Sequence, residues 1–201
     1  MNVVICTPVY AGTTWQYSLS LAEMIVWTLT QEIIYNGKKV RPGISVRVEP
    51  STRVDLAREA LAEWALQGPA DYLLWLDADH RFPRDTMVRL MAHNVPIVGA
   101  NYRHRRLPDE VRSTAANIVD GESVSIAPKA EGVEAVDVVG MGVCLTKTEV
   151  FRNLPKPWFE MGRFGEDASF CLKAKAHGFQ PRVDHRLSAE VGHVAETVLG
   201  L

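Results

Sequence analysis

Two carboxylates, Asp77 and Asp79, come directly after four large apolar residues at positions 73–76, in the stretch LLWLDADHRFP. On an extended backbone, residues two apart face the same side, so both carboxylates can reach one ion or ligand. Carboxylates this close repel each other unless a cation or a proton lies between them. A hard divalent cation, Mg²⁺ or Mn²⁺, suits such oxygen ligands. A solvated turn explains the two aspartates alone equally well, but the apolar approach and the Phe82-Pro83 exit favour a ligand site.

A second acidic pair, Glu166 and Asp167, opens a predicted helix in the sequence GEDASFC. Acidic residues in a first turn interact favourably with the helix dipole, which is a sufficient structural explanation. However, the aromatic and glycine-rich approach at 158–164 resembles a pocket wall, and a carboxylate beside a substrate hydroxyl can act as general base. His193 lies in the apolar segment EVGHV. It is either a hydrogen-bonded core histidine or a further ligand for a cation that carboxylates hold.

Strands and helices alternate in the first half of the chain. Short apolar runs predict strands, and segments without Gly or Pro that carry apolar residues at helical spacing predict helices. The predicted strands are residues 2–6, 44–48, 72–76 and 97–100, and the predicted helices are residues 14–35, 55–67 and 83–93. This alternation predicts an α/β sheet covered by helices, in which ligands bind beyond the carboxyl ends of the strands. Asp77 and Asp79 fall at such an end.

The second half of the chain differs in composition and in its predicted elements. Residues 103–115 are polar, basic and loop-like, and short strands are predicted at 123–127, 135–139 and 142–146. A last helix is predicted at 166–177, closed by Gly178. No repeat or linker is visible, so we expect a single domain over 1–201. Its residues 1–101 would form a nucleotide-binding half, and residues 102–201 an acceptor and catalytic half.

Composition narrows the class of protein. The 201 residues are 47% hydrophobic and 23% charged, and the net charge of -2 offers no general electrostatic basis for nucleic-acid binding. Cys6, Cys144 and Cys171 lie far apart in apolar surroundings, which is typical of buried, reduced thiols. Met1 leads directly into a strand-like run, and the longest apolar region is interrupted by polar residues, so neither a signal peptide nor a transmembrane segment is predicted. We therefore expect a soluble, cytoplasmic protein.

Three features occur in order along the chain: DAD after a buried strand, GED opening a late helix, and a histidine beyond it. Together they resemble the motif pattern of the GT-A fold glycosyltransferases, in particular those like glycosyltransferase family 2. The segments VVICTPVY (3–10), STRVDLAREA (51–60), VGANYRHRR (98–106) and VVGMGVCLTKTEVF (138–151) resemble further motifs of these enzymes. The resemblance implies a Rossmann-like, three-layer α/β/α fold with a mixed central sheet. It also implies transfer of a hexose-like sugar from a nucleoside-diphosphate sugar, UDP- or GDP-linked, with Mn²⁺ or Mg²⁺ as cofactor.

The same resemblance implies roles for single residues. Asp77, Asp79 and His193 would bind the metal, with Asp77 contacting the ribose as an alternative. The metal would neutralise the departing diphosphate. Asp167, or alternatively Glu166, would deprotonate the acceptor hydroxyl of an inverting enzyme, whereas in a retaining enzyme both would orient the acceptor. The residues implied to bind the nucleotide sugar are Thr7, Pro8, Val9, Tyr10, Arg58, Asp77, Ala78 and Gly142.

The chain also departs from the family pattern. Ala11-Gly12 replaces a familiar acidic residue after the first turn, so the base of the nucleotide stays open. The acceptor stays open too: a glycan, a lipid-linked sugar, a small molecule or a modified nucleic acid, with the basic residues 103–106 as a candidate contact. Two other functions remain. One is a nucleotide- or glycan-binding module without turnover. The other is a phosphatase of the haloacid dehalogenase type, although its nucleophile would be expected after the first strand.

Overall fold

The structure, a computed structural model, describes residues 1–35, 37–103 and 113–194. The strands are β1 (Asn2–Val9), β2 (Ile33–Tyr35), β3 (Lys38–Val40), β4 (Gly43–Pro50), β5 (Tyr72–Leu76), β6 (His80–Arg81), β7 (Ile97–Ala100), β8 (Ala116–Val119), β9 (Glu122–Ser125), β10 (Val133–Ala135), β11 (Val143–Lys147), β12 (Pro181–Asp184) and β13 (Gly192–His193). The helices are α1 (Trp15–Leu29), α2 (Val54–Leu66), α3 (Thr86–Ala92), α4 (Thr148–Asn153), α5 (Glu166–Ala176) and α6 (His185–Ser188).

A mixed sheet runs through the centre of the described chain. Its seven strands have the order β10-β12-β7-β11-β5-β1-β4. The pairs β4–β1, β1–β5 and β7–β12 are parallel, whereas β11 is antiparallel to both of its neighbours. The predicted α/β class with a mixed central sheet is confirmed. Because β4, β1 and β5 are parallel, their carboxyl ends meet at one edge of the sheet.

Strand β5 explains why the apolar run before Asp77 is uninterrupted. Its five residues are all buried, and successive side chains point to opposite faces of the sheet. Leu73 and Trp75 belong to the core beneath α2 and α5, while Leu74 and Leu76 belong to the core beneath α1 and α3. A strand covered on both faces needs an apolar residue at every position. The helices therefore form a layer on each side of the sheet.

The first helix is shorter than the predicted 14–35. It ends at Leu29, where the hydroxyl of Thr30 donates a hydrogen bond to the carbonyl of Trp27 (2.6 Å). The β-branched residues Ile33 and Ile34 then belong to β2, which pairs antiparallel with β3. β-Branched side chains favour a strand over a helix once the chain has left the helix.

Several elements of the second half were not predicted at their observed positions. In place of one strand at 123–127, β8 and β9 form a hairpin. Its turn is Asp120-Gly121, and both residues have positive φ (51° and 78°), the geometry of a two-residue hairpin turn. The strand predicted at 135–139 is observed earlier, as β10. Strand β12 and the short helices α4 and α6 were missed, because such short elements have too few residues to show a period.

The predicted helices 55–67 and 166–177 are observed as α2 and α5, within one residue at each end. The helix predicted at 83–93 begins only at Thr86. None of the described helices is long and apolar enough to cross a membrane.

Candidate active site

A cavity of about 940 Å³ opens beyond the carboxyl ends of β1, β4 and β5. Its walls come from the β1–α1 turn, the β4–α2 turn and the residues that follow β5. A fourth wall comes from late in the chain. The lining residues are Pro8, Val9, Tyr10, Ala11, Gly12, Thr13, Thr14, Ser51, Thr52, Arg53, Val54, Asp55, Asp77, Ala78, Asp79, Met161, His193 and Val194. Its position is the one at which open α/β sheets bind ligands.

Backbone pairing brings His193 to the aspartates that follow β5. Strand β13 pairs antiparallel with β6, which puts His193 opposite His80. Next to this pair, the N–H of Val194 donates to the carbonyl of Asp79 (2.8 Å). The distant histidine is therefore held against Asp79 by main-chain hydrogen bonds, so its position does not depend on side-chain contacts alone.

Asp79, His80 and His193 form a group that could hold a metal ion. One ligand atom from each lies within 4.8 Å of the others. In this group, Oδ2 of Asp79 lies 3.3 Å from Nε2 of His193, and Oδ1 of Asp79 lies 2.9 Å from Nδ1 of His80. A carboxylate oxygen with imidazole nitrogens is a donor set for divalent transition metals, including Mn²⁺. The residues present thus fit the cofactor that the resemblance implies.

Both imidazoles of this group are held by further contacts. The Nδ1 of His193 lies 3.1 Å from the carbonyl oxygen of Arg103, and since a carbonyl only accepts, Nδ1 carries the proton. With Nδ1 engaged in this way, Nε2 is the ring nitrogen that faces Asp79, and it is the atom that would bind a metal in place of its hydrogen bond to the carboxylate. His80 is almost fully buried and stacks on His193 with ring centroids 4.4 Å apart. Stacking and hydrogen bonding together fix the orientation of both rings.

The protonation of Asp79 is suited to a cation site. Burial by itself raises the pKa of this carboxyl group, but hydrogen bonds with His193 and His80 outweigh burial and hold the pKa well below its usual range. Asp79 is therefore a carboxylate at every physiological pH. The negative charge of this carboxylate favours a bound cation.

Asp77 has a different partner. Its Oδ1 accepts a hydrogen bond from an Nη of Arg58 (3.0 Å), whose Nε donates to Glu166 (3.2 Å). Arg58 is 2% exposed, and it joins the end of β5 to the start of α5. Within the described residues, the group of potential metal ligands does not include Asp77. Its predicted role in metal or ribose binding stays a prediction, and what the structure shows is an ion pair with Arg58.

Asp167 lies beside this ion-pair cluster at the first turn of α5. Its Oδ1 accepts the N–H of Ala168 (2.8 Å). Burial, followed by the negative charge of Glu166, raises the pKa of Asp167 to about 7, although Arg58 acts in the opposite direction. A carboxyl group that titrates near neutrality can take a proton from a hydroxyl and release it again, as a general base must.

Some of the residues implied to bind the nucleotide sugar line the cavity, and others do not. Pro8, Val9, Tyr10, Asp77 and Ala78 line the cavity. Thr7, Arg58 and Gly142 do not. Thr7 is buried and shares a hydrogen bond with the Tyr17 hydroxyl (2.6 Å), because residues alternate in facing along β1. Arg58 is enclosed by its carboxylate partners.

Gly142 faces the protein rather than the cavity. A Cβ there would lie 2.8 Å from both Cε1 of His80 and Cζ of Tyr102. The carbonyl of Gly142 accepts the N–H of Asp77 (2.9 Å), and its own N–H donates to the Tyr102 hydroxyl (2.7 Å). This glycine therefore supports the site from behind.

The aromatic and glycine-rich segment 158–164 is also divided between the core and the cavity wall. Trp158 and Phe159 pack in the core, and the indole N–H of Trp158 donates to the carbonyl of Phe151 (3.0 Å). Of this segment, Met161 lines the cavity. Of the basic residues 103–106, suggested as an acceptor contact, residues 104–106 lie outside the described residues.

Sequence reasoning did not include His80 among the potential metal ligands, and it gave Tyr102 no role. The Tyr102 ring meets His80 edge-on at 4.3 Å and His193 at 6.0 Å. A signal for Tyr102 existed, because it is the second residue after the buried strand β7, just as Asp77 is the first residue after β5. His80 gave only its position next to the aspartates, and its burial was not apparent from its neighbours in the sequence.

The sheet order, the covering helices and a cavity at the carboxyl ends of parallel strands define an α/β protein with a GT-A-like fold. Solved structures share this fold. "Crystal Structure of A197 from STIV" matches with a TM-score of 0.62 and 14% identity over 100% of this chain and 98% of that chain. A structure of GalNAc-T7 with UDP, GalNAc and Mn²⁺ matches with a TM-score of 0.60 and 12% identity, over 98% of this chain and 44% of that one. No protein-family model matches the sequence, and neither does any curated protein.

Proposed function

We propose that the protein is a metal-dependent glycosyltransferase that uses a nucleoside-diphosphate sugar. The observation that carries this proposal is the pairing of Asp79 with His193 at the wall of a 940 Å³ cavity beyond the parallel strands. The cavity volume suits a nucleotide sugar, since ligand pockets commonly range over about 300–1,000 Å³. The structural neighbour that contains UDP, GalNAc and Mn²⁺ supports the same class of donor.

Each wall of the cavity would take one part of the donor. The β1–α1 turn, with the 79% exposed ring of Tyr10, would contact the nucleoside, and an exposed aromatic ring can stack on a base. Asp79 and His193, with His80 behind them, would hold Mn²⁺ or Mg²⁺. When bound, this ion would supply positive charge for the departing diphosphate. UDP and GDP are both candidate nucleotides.

Asp167 is the proposed base. It would accept the proton of an acceptor hydroxyl while the hydroxyl oxygen forms a bond to the anomeric carbon and the bond to the diphosphate oxygen breaks. Arg58 would keep Asp77 and Glu166 in place beside it. If the configuration at the anomeric carbon is retained, Asp167 and Glu166 would instead orient the acceptor.

The test is nucleotide binding with and without Mn²⁺, measured by calorimetry for UDP and GDP. Asp79→Asn should abolish the Mn²⁺-dependent part of binding, because an amide lacks the charge and the ligand strength of a carboxylate. Asp120→Asn is the matched control, since Asp120 lies in the β8–β9 turn with positive φ, which asparagine tolerates. Unchanged Mn²⁺-dependent binding in Asp79→Asn would refute the metal assignment. Tight binding by the wild type without hydrolysis or transfer of any sugar would favour a binding module.

A further inference from the structure

The outward face of α1 is apolar along its whole length. Trp15, Leu19, Val26 and Leu29 are 71%, 52%, 67% and 47% exposed, and Ala22 between them is also exposed. The residues that α1 turns to the core are Tyr17, Ser20, Met24 and Thr28. Most of the apolar repeat that predicts this helix therefore points away from the core. We call the five exposed residues the α1 stripe.

The spacing of the α1 stripe is that of a helix–helix interface. Its residues follow one another at intervals of 4, 3, 4 and 3 positions, from Trp15 to Leu29. This is the repeat with which one helix packs its side chains between those of a second helix. The 15 residues of α1 provide a seam about 22 Å long.

We infer that the α1 stripe is the interface of a symmetric dimer of this chain. In a two-fold dimer the same patch meets itself, so the two helices run antiparallel. Ala22, in the middle of the stripe, then lies near the axis, where a small residue lets the helices approach closely. The Trp15 end of one helix lies near the Leu29 end of the other, so the large side chains flank the centre. This inference does not depend on the proposed activity.

The area and charge of the stripe favour a second copy over other occupants. The exposed parts of its side chains offer roughly 400 Å² of apolar surface, about half of the ~800 Å² that each partner contributes to a standard interface. Polar neighbours would supply the rim. The only charged residue of α1 is Glu23. A helix that lies on an anionic membrane carries Lys and Arg beside its apolar face, and α1 has neither.

Analytical ultracentrifugation of the whole chain, at concentrations up to about 200 µM, tests this dimer. The wild type should be in reversible monomer–dimer equilibrium, with the dimer fraction rising with concentration. Val26→Glu and Leu19→Glu should be monomeric, because each new carboxylate would be buried against apolar side chains of the other copy. Val124→Glu is the matched control: Val124 is 49% exposed on β9, and this variant should dimerise like the wild type. Thermal melting checks that each variant is folded.

Two results would overturn the inference. One is a wild type that stays monomeric at every concentration, and the other is a dimer that persists in both stripe variants. Flotation with phosphatidylcholine vesicles distinguishes the competing occupant. Wild-type monomers that float, while Val26→Glu does not, would assign the stripe to a lipid surface and would equally refute the dimer.

Discussion

At the scale of the residue, the chemistry of the candidate site depends on how four neighbouring charged groups interact. Arg58 pairs with Asp77 and Glu166, and Asp167 lies next to the pair with its pKa raised. Glu166 is engaged by the guanidinium, and Asp167 is the carboxylate that can exchange a proton near neutral pH. The adjacent residues Glu166 and Asp167 thus have different partners: Glu166 accepts from Arg58, and Asp167 accepts from the N–H of Ala168.

This charge distribution predicts the pH dependence of transfer. The base must be deprotonated, so kcat should fall as the pH drops through the raised pKa of Asp167, about 7. Asp167→Asn should lose about 10²–10⁴-fold in kcat and retain donor binding. Glu166→Gln removes the neighbouring negative charge, so its acidic limb should move to lower pH. The measurement is a pH–rate profile at saturating substrates.

Glu160→Gln serves as the control, because Glu160 is half exposed and pairs with Lys173 on the surface. Its profile should match that of the wild type. An acidic limb that does not move in Glu166→Gln would show that Asp167 is not the titrating group.

At the scale of the element, two short strands and one turn complete the proposed metal site. The β6–β13 pair places His193 beside Asp79, and the turn before β11 supports His80 and Tyr102 from behind. The close approach at Gly142 leaves no room for a side chain. Metal binding should therefore be sensitive to a residue that contacts neither the metal nor the cavity.

Gly142→Ala should lower the free energy of unfolding by about 1–3 kcal/mol, because the new methyl group would overlap the rings of His80 and Tyr102. It should also weaken Mn²⁺-dependent nucleotide binding by moving His80. Gly68→Ala is the control: its nearest neighbour to a new Cβ is 3.8 Å away. Urea denaturation and calorimetry provide the two measurements. Equal stability and equal Mn²⁺ affinity in both variants would contradict this role of Gly142.

At the scale of the whole molecule, Arg58 joins segments that are far apart in sequence. It extends from α2, contacts Asp77 after β5, and reaches Glu166 at the start of α5. Its side chain is 3% exposed, and those of its partners are 27% and 11% exposed. Removing one partner of such a buried pair leaves charges without compensation. The cluster therefore contributes to the fold as well as to the site.

Arg58→Leu should lower the free energy of unfolding by about 3–5 kcal/mol, since two partly buried carboxylates lose their cation. Arg163→Leu removes an arginine whose ion pair with Glu122 is largely exposed, and it should change stability little. Urea unfolding of both variants makes the comparison. A similar, small effect in both would contradict a structural role for the Arg58 cluster.

The sequence by itself determined the features that depend on local pattern. The apolar run at 72–76 predicts β5 correctly, because a strand buried on both faces needs apolar residues throughout. The α/β class followed from the alternation of such strands with amphipathic helices, and it is confirmed. Patterns of this kind are carried by neighbouring residues, so a single stretch of chain contains them.

Only the tertiary structure decided which distant residues meet. The β6–β13 pair that sets His193 against Asp79 is too short to be read from sequence, and the burial of Arg58 depends on carboxylates from two other segments. The sequence also did not show which face of α1 packs against the core. An apolar repeat specifies that one side of a helix will be covered, but the packing of the whole chain determines which side meets the core. Contacts between remote segments form only when the entire sheet is assembled, and for that physical reason no local pattern contains them.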